Sequence, residues 1–140
     1  MTNEEYGRYV DALAPRSKTG KNLLNAFWVG GLICAIGQAL LNGYQALGLD
    51  ETTAGAAVSI SLVLLSAILT GFAVYDDIAK FAGAGTLVPI TGFANAVVAP
   101  AIEFQTEGFV LGTAAKMFTI AGPVIVYGLS ASVLYGVIYW

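Results

Sequence analysis

The sequence predicts an all-α integral membrane protein of three to four transmembrane helices with a broken or re-entrant Gly/Pro-containing central segment. Three observations carry that expectation. The 140 residues are 57% hydrophobic and 11% charged, with a mean hydropathy of +0.76, whereas soluble domains carry about 25% charged residues. Four uncharged runs, 22–49, 52–75, 81–102 and 117–140, each reach the roughly 20 apolar residues that a helix needs to cross a bilayer core. The third run is broken by Gly83, Gly85, Pro89, Gly92 and Pro100. A plain span avoids such breakers, because each frees backbone groups that lipid cannot satisfy.

The length allows one domain, divided into a cytoplasmic lead at 1–21 and a membrane domain at 22–140. In the lead, Tyr6, Val10 and Leu13 recur at helical spacing and predict a short amphipathic helix on the membrane surface, ended by Pro15. Arg8, Arg16, Lys18 and Lys21 are four of the six basic residues, and the positive-inside bias places the N-terminus in the cytoplasm. No short apolar run with a small-residue cleavage site opens the chain, so the first hydrophobic run reads as a retained anchor.

The first span covers about Asn22 to Asn42. Gly31, Ala35, Ala39 and Gly43 recur every four residues, a spacing that lets two helices approach closely. Gln38 is read on a different face near mid-membrane. There a carboxamide either bonds a neighbouring helix, the favoured reading, or lines a pore. Asp50 and Glu51 follow in a loop without basic residues, which fits the outer side.

The second span, about Thr53 to Tyr75, returns the chain to the cytoplasmic side. Ala67 with Gly71, and Ser66 with Thr70, predict tight packing. Asp76 and Lys80 are spaced to pair if the helix continues, a weak bond at an exposed site. The third run favours a re-entrant hairpin, or two half-helices meeting near Gly83 to Thr86, over a kinked crossing helix. A half-helix starting near Thr86 or Leu87 would present unpaired N–H groups and the positive end of its dipole, an arrangement suited to anions. Thr86, Thr91 and Asn95 add side-chain polarity.

After Glu103, Glu107 and Lys116, the last span runs from about Met117 to Trp140. Gly128, Ser132 and Gly136 form a second small ridge, and Tyr135, Tyr139 and Trp140 suit an interfacial aromatic belt. A re-entrant third run puts the C-terminus outside; a crossing one puts it in the cytoplasm.

Enzymatic chemistry finds no constellation. The chain has no histidine and one cysteine, Cys34, so no metal site, cofactor site or intrachain disulfide is expected. Asp76 and Asp77 are adjacent and diverge by about 100° on a helix. Gly83-x-Gly85 lacks the Lys-Ser/Thr ending of a phosphate loop. Six scattered basic residues form no patch for nucleic acid.

Three blocks carry a family resemblance: Ala26-Phe27-Trp28-Val29-Gly30-Gly31-Leu32-Ile33-Cys34-Ala35-Ile36-Gly37-Gln38, then Leu69-Thr70-Gly71-Phe72 with Tyr75-Asp76, then 81–95 as Phe-Ala-Gly-Ala-Gly-Thr-Leu-Val-Pro-Ile-Thr-Gly-Phe-Ala-Asn. With Glu107-Gly108-Phe109-Val110-Leu111-Gly112, they resemble the SpoVA family of stage V sporulation membrane proteins of endospore-forming bacteria. The lead and the length are more similar to the SpoVAC branch than to the shorter SpoVAE branch.

The resemblance implies a channel, or channel subunit, for dipicolinic acid or its calcium chelate across the spore inner membrane. It implies uptake in sporulation, release in germination and mechanosensitive opening. It also implies an oligomer working with sibling SpoVA proteins, SpoVAD-like and SpoVAE-like. Pore-lining candidates are then Gln38, Asp76, Lys80, Gly83, Gly85, Thr86, Pro89, Thr91 and Asn95. The rival expectation is a non-conducting scaffold that anchors its partners.

Overall fold

The fold is known from a computed structural model that describes residues 2–13 and 18–139. Pro15, Arg16 and Trp140, named above, lie outside the described residues. The lead forms helix α1 (Asn3–Leu13), with Tyr6, Val10 and Leu13 exposed as an amphipathic surface helix requires. A reciprocal cap opens it: the Thr2 amide donates to Glu5 Oε2 at 2.8 Å and the Glu5 amide to Thr2 Oγ1 at 3.3 Å. Each bond satisfies a donor that the first turn leaves free.

Among the described residues, three helices are long and apolar enough to cross a membrane: α2 (Thr19–Ala46), α3 (Glu51–Gly71), and a final run from Phe109 to Tyr139. Helix α2 is longer than the sequence suggested at both ends. It closes on Gly48, whose φ of 92° makes the turn. Asp50 then caps α3, its carboxylate accepting from the Thr53 amide at 3.1 Å and the Thr53 hydroxyl at 2.6 Å. The Thr53 hydroxyl, then its amide, hold the Asp50 carboxyl below its ordinary pKa. A lowered carboxyl favours the folded state above the unfolded pKa, and that support fades as pH falls through the folded one.

Helix α3 stops at Gly71, four residues before the sequence suggested. Ala73 adopts φ 57°, and its amide returns to the Thr70 carbonyl at 2.9 Å. Tyr75 therefore belongs to the next helix. Left-handed backbone costs a residue with a Cβ about 1–2 kcal/mol. Ala73→Gly should raise stability by about 1 kcal/mol, read as a higher melting temperature in detergent.

The broken run folds into α4 (Val74–Ala82), the single turn α5 (Ala84–Leu87) and α6 (Ile90–Glu103). The breaks fall at Gly83, with φ 53°, and at Pro89, which ends in extended backbone. The Ser66 hydroxyl donates to the Thr91 carbonyl, and Thr70 Oγ1 donates to Asn95 Oδ1. The pairs keep the same order along both helices, so α6 runs parallel to α3.

The chain leaves α3, turns inward through α4 and α5 along the N-terminal half of α2, and comes back out as α6. The run is broken rather than a single kinked helix, and its short α6 fits the re-entrant alternative. Fourteen residues of α6 span about 21 Å, short of a bilayer core of about 30 Å. Ser66 lies five residues from the end of α3, so the hairpin tip sits only about 8 Å deeper than that end.

A 3₁₀ turn (Gln105–Glu107) and a π-helical turn (Phe109–Ala114) then lead into α7 (Ala115–Tyr139). The wide turn seats Gly112 beneath the Phe104 carbonyl; a Cβ there would lie 2.9 Å from Glu107 Cβ. Helix α7 packs on α6 as far as Gly122. Beyond it every residue from Pro123 to Tyr139 is exposed, because the short α6 ends beside the first third of that run. The ridge of Gly128, Ser132 and Gly136 is among these exposed residues.

The other expected ridge is likewise unused within the chain. Gly31, Ala35, Ala39 and Gly43 face outward, and no other residue lies within 4 Å of a Cβ built on Gly31 or Gly43. Packing uses a different face of α2: Ala26 and Gly30 against Gly85, and Gly37 against Leu62.

Candidate functional site

The site is the hairpin and the polar groups that hold it. Small residues bring the backbones together, and hydroxyls then fix them. Gly85 rests on Ala26 so closely that a Cβ would lie 2.8 Å from Ala26 Cα, while a Cβ on Gly30 would lie 3.2 Å from the Gly85 carbonyl oxygen. Gly92 is pressed on the Thr86 and Leu87 carbonyls in the same way. Here the glycines serve close approach of backbone to backbone.

Tyr75 is the centre of the polar cluster. Its ring is buried, and its hydroxyl lies 3.0 Å from the Thr86 carbonyl oxygen and 3.1 Å from Thr91 Oγ1. Thr86 Oγ1 donates to the Gly83 carbonyl at 3.0 Å, and the Thr86 amide also returns to Gly83 at 3.2 Å. Ser66, fully buried on α3, donates to the Thr91 carbonyl at 2.6 Å. Thr70 Oγ1 reaches both the Ser66 carbonyl and Asn95 Oδ1, at 2.7 and 2.8 Å. Outside the cluster, the Asn25 amide donates to the Phe81 carbonyl at 3.2 Å and ties α2 to the end of α4. Hydroxyls bonded across helices are the expected glue where hydrocarbon offers no alternative partner.

The hairpin borders an open cavity of about 180 Å³ lined by Tyr75, Ala79, Gly83, Thr86, Leu87, Gly92, Asn95 and Ala96. Asn95 is half-buried, and its amide nitrogen has no partner among the described residues. A second, wider cavity of about 480 Å³ lies between the start of α2 and the end of α4, with Thr19, Asn22, Lys80 and Gly83 in its wall.

The structure thus gathers Gly83, Thr86 and Asn95 around one small cavity, with Gly85, Pro89 and Thr91 in the same hairpin. The others fall elsewhere. Gln38 faces outward from α2 and bonds Asn42 on its own helix at 2.9 Å, so it makes no interhelical bond within the chain. Asp76 is exposed, and Lys80 pairs with Asp77 at 3.0 Å rather than with Asp76. At three residues' spacing the exposed Asp77 reaches the ammonium first. That bond, with the charge of Asp77, raises the Lys80 pKa.

The half-helix start expected near Thr86 or Leu87 lies at Ile90, behind Pro89. The Thr86 amide is spent on Gly83, so no unpaired N–H is aimed from Thr86. Sequence reading left out Tyr75 as a site residue. An aromatic hydroxyl placed eleven and sixteen residues before Thr86 and Thr91 was the available signal.

Burial sets an accessibility expectation. Thr86 is 2% exposed, so Thr86→Cys in a Cys34→Ser background should resist a water-soluble thiol reagent while the hairpin is closed. Rapid labelling at rest would show that the hairpin opens spontaneously.

Comparison with known proteins gives three results. The family model described as SpoVAC/SpoVAEB sporulation membrane protein matches residues 22–138. The chain is 49% identical over 141 residues to stage V sporulation protein AC of Bacillus subtilis (strain 168), covering 99% of this chain and 94% of that protein. No solved structure matches.

Proposed function

Because the chain belongs to the SpoVAC/SpoVAEB family of sporulation membrane proteins, we propose that it is a subunit of a channel for dipicolinate, free or as its calcium chelate, in the spore inner membrane. The cargo would enter during sporulation and leave during germination, under the control of membrane tension. The N-terminal lead lies on the cytoplasmic side in this reading, and SpoVAD-like and SpoVAE-like proteins are its partners. Three crossing helices are too few to surround a ring-sized solute, so several copies, or these siblings, complete the passage.

The observation that carries the reading is the cavity in the hairpin beside the unspent Asn95 amide. A neutral N–H donor in the cavity wall can meet a carboxylate without holding it as tightly as a lysine would, and conduction needs binding weak enough to release. The hairpin also suits a tension gate. It is held to α3 by the Ser66 and Thr70 bonds, and a change in the separation of those elements would break a small, countable set of contacts.

The first experiment is dipicolinate release from liposomes containing only this protein, before and after osmotic downshock. Release that follows downshock and is absent from empty liposomes supports a channel formed by this chain. No release after verified insertion refutes autonomous conduction. Asn95→Leu should lower flux about tenfold, the cost of leaving a carboxylate without one charge-assisted bond. Lys80→Gln should change it less than twofold, since Lys80 is paired at the surface.

A scaffold that conducts nothing remains a second reading with its own support. Ser66, Thr70, Tyr75, Thr86 and Thr91 all spend their side-chain bonds inside the protein, as structural glue would.

A further inference from the structure

The outward face of α2 carries hydrogen-bonding groups at a depth where lipid offers none. At 100° per residue, Gly31, Ala35, Gln38 and Asn42 fall within about 60° of one another. Gln38 thus shares a face with half of the small-residue ridge from which the sequence reading separated it. All four are exposed. Gly37, the residue before Gln38, sits against the side chain of Leu62, one residue past the midpoint of α3, so Gln38 lies near the middle of that helix.

Gln38 Nε2 donates to Asn42 Oδ1. That leaves Gln38 Oε1 and Asn42 Nδ2 without a partner among the described residues. Carboxamides turned into hydrocarbon with groups unspent are costly.

We infer that this face of α2 is an interface with a second copy of the same chain. A carboxamide both donates and accepts, so the Gln38–Asn42 pair is complementary to itself: the free acylamide oxygen of one copy meets the free N–H groups of the other across a two-fold axis. Self-complementarity of this kind is what an isologous contact demands. Gly31 and Ala35 on the same stripe lack the bulk that would hold the two backbones apart. Neither lipid nor an arbitrary apolar helix would satisfy the carboxamides.

The interface is independent of the cargo and stands or falls apart from the proposed conduction. The test uses full-length protein in liposomes at high lipid excess, in a Cys34→Ser background, with single cysteines cross-linked by mild oxidation. Ala35→Cys and Gly31→Cys should form homodimers at least about tenfold faster than Ile36→Cys, which is exposed but turned about 100° away. Adding Gln38→Leu with Asn42→Leu, apolar changes that suit a lipid-facing helix, should reduce cross-linking at position 35 about three- to tenfold.

Equal cross-linking at 35 and 36 overturns the interface, and so does a dimer undiminished by the leucine pair. Rapid labelling of Ala35→Cys by a membrane-impermeant thiol reagent without cross-linking also overturns it, and makes the face a wall of a wet passage. Cross-linking without dipicolinate flux leaves the interface intact and counts only against conduction.

Discussion

Gly85→Ala is expected to separate the hairpin from α2 and to lower stability by about 1–3 kcal/mol or more, the range for overpacking a filled site. The reason is geometric. The added methyl would lie 2.8 Å from Ala26 Cα and 2.9 Å from its carbonyl carbon, and a backbone cannot step aside as a side-chain tip can. Gly55→Ala is the matched control, because nothing lies within 4 Å of a Cβ there; its helix should gain from the better propensity of alanine. Thermal unfolding of the two variants in detergent makes the comparison. Equal melting temperatures would mean that the contact between α2 and α5 contributes nothing.

The second large effect is expected from Tyr75→Phe. The ring is 4% exposed and the shape is conserved, so packing stays while one hydroxyl leaves. The Thr86 carbonyl and the Thr91 hydroxyl then lose a hydrogen-bond partner in a buried site, at about 1–3 kcal/mol. A double-mutant cycle with Thr91→Val should return a coupling of about 0.5–3 kcal/mol, as expected for residues in one network. A coupling indistinguishable from zero would dissolve the cluster into unrelated contacts. Tyr127→Phe, on the exposed arm of α7, should change stability by less than about 0.5 kcal/mol.

What the sequence disclosed and what it hid divide along a physical line. Length and composition sufficed for helices in a membrane, and the glycines and prolines at 83–100 sufficed for a hairpin, because a helix interior in lipid tolerates few such breaks. Ser66 and Thr70 were legible as packing positions since small polar residues one turn apart have little other use in a span.

The rotational setting of α2 was not legible. The helix is apolar on nearly every side, with Ala26, Gly30 and Gly37 on one face and Gly31, Ala35, Ala39 and Gly43 on another, so no polar stripe marks which face turns inward. The ridge with the more regular spacing faced outward, and the irregular one made the contacts. Asp77 displaced Asp76 as the partner of Lys80 because both reach from one short helix, and spacing alone does not rank them. The role of Tyr75 depended on the turn at Ala73, where a residue with a Cβ occupies a conformation that usually signals glycine.

The hairpin gives the molecule an unequal cross-section. Helices α2, α3 and α7 are long and apolar enough to pass through both leaflets, whereas the 14 residues of α6 are not. Seated in a bilayer by its three long helices, the chain would be a wedge, broad in the leaflet that holds α5 and α6 and narrow in the other. A wedge does not experience stretching and bending of the bilayer as the same load. Lipids with small headgroups crowded into the broad leaflet squeeze the hairpin toward α3, while an asymmetric insertion of single-chain amphiphiles relaxes one side and compresses the other. Two membranes at equal overall tension but different lateral-pressure profiles thus present this chain with different mechanical work.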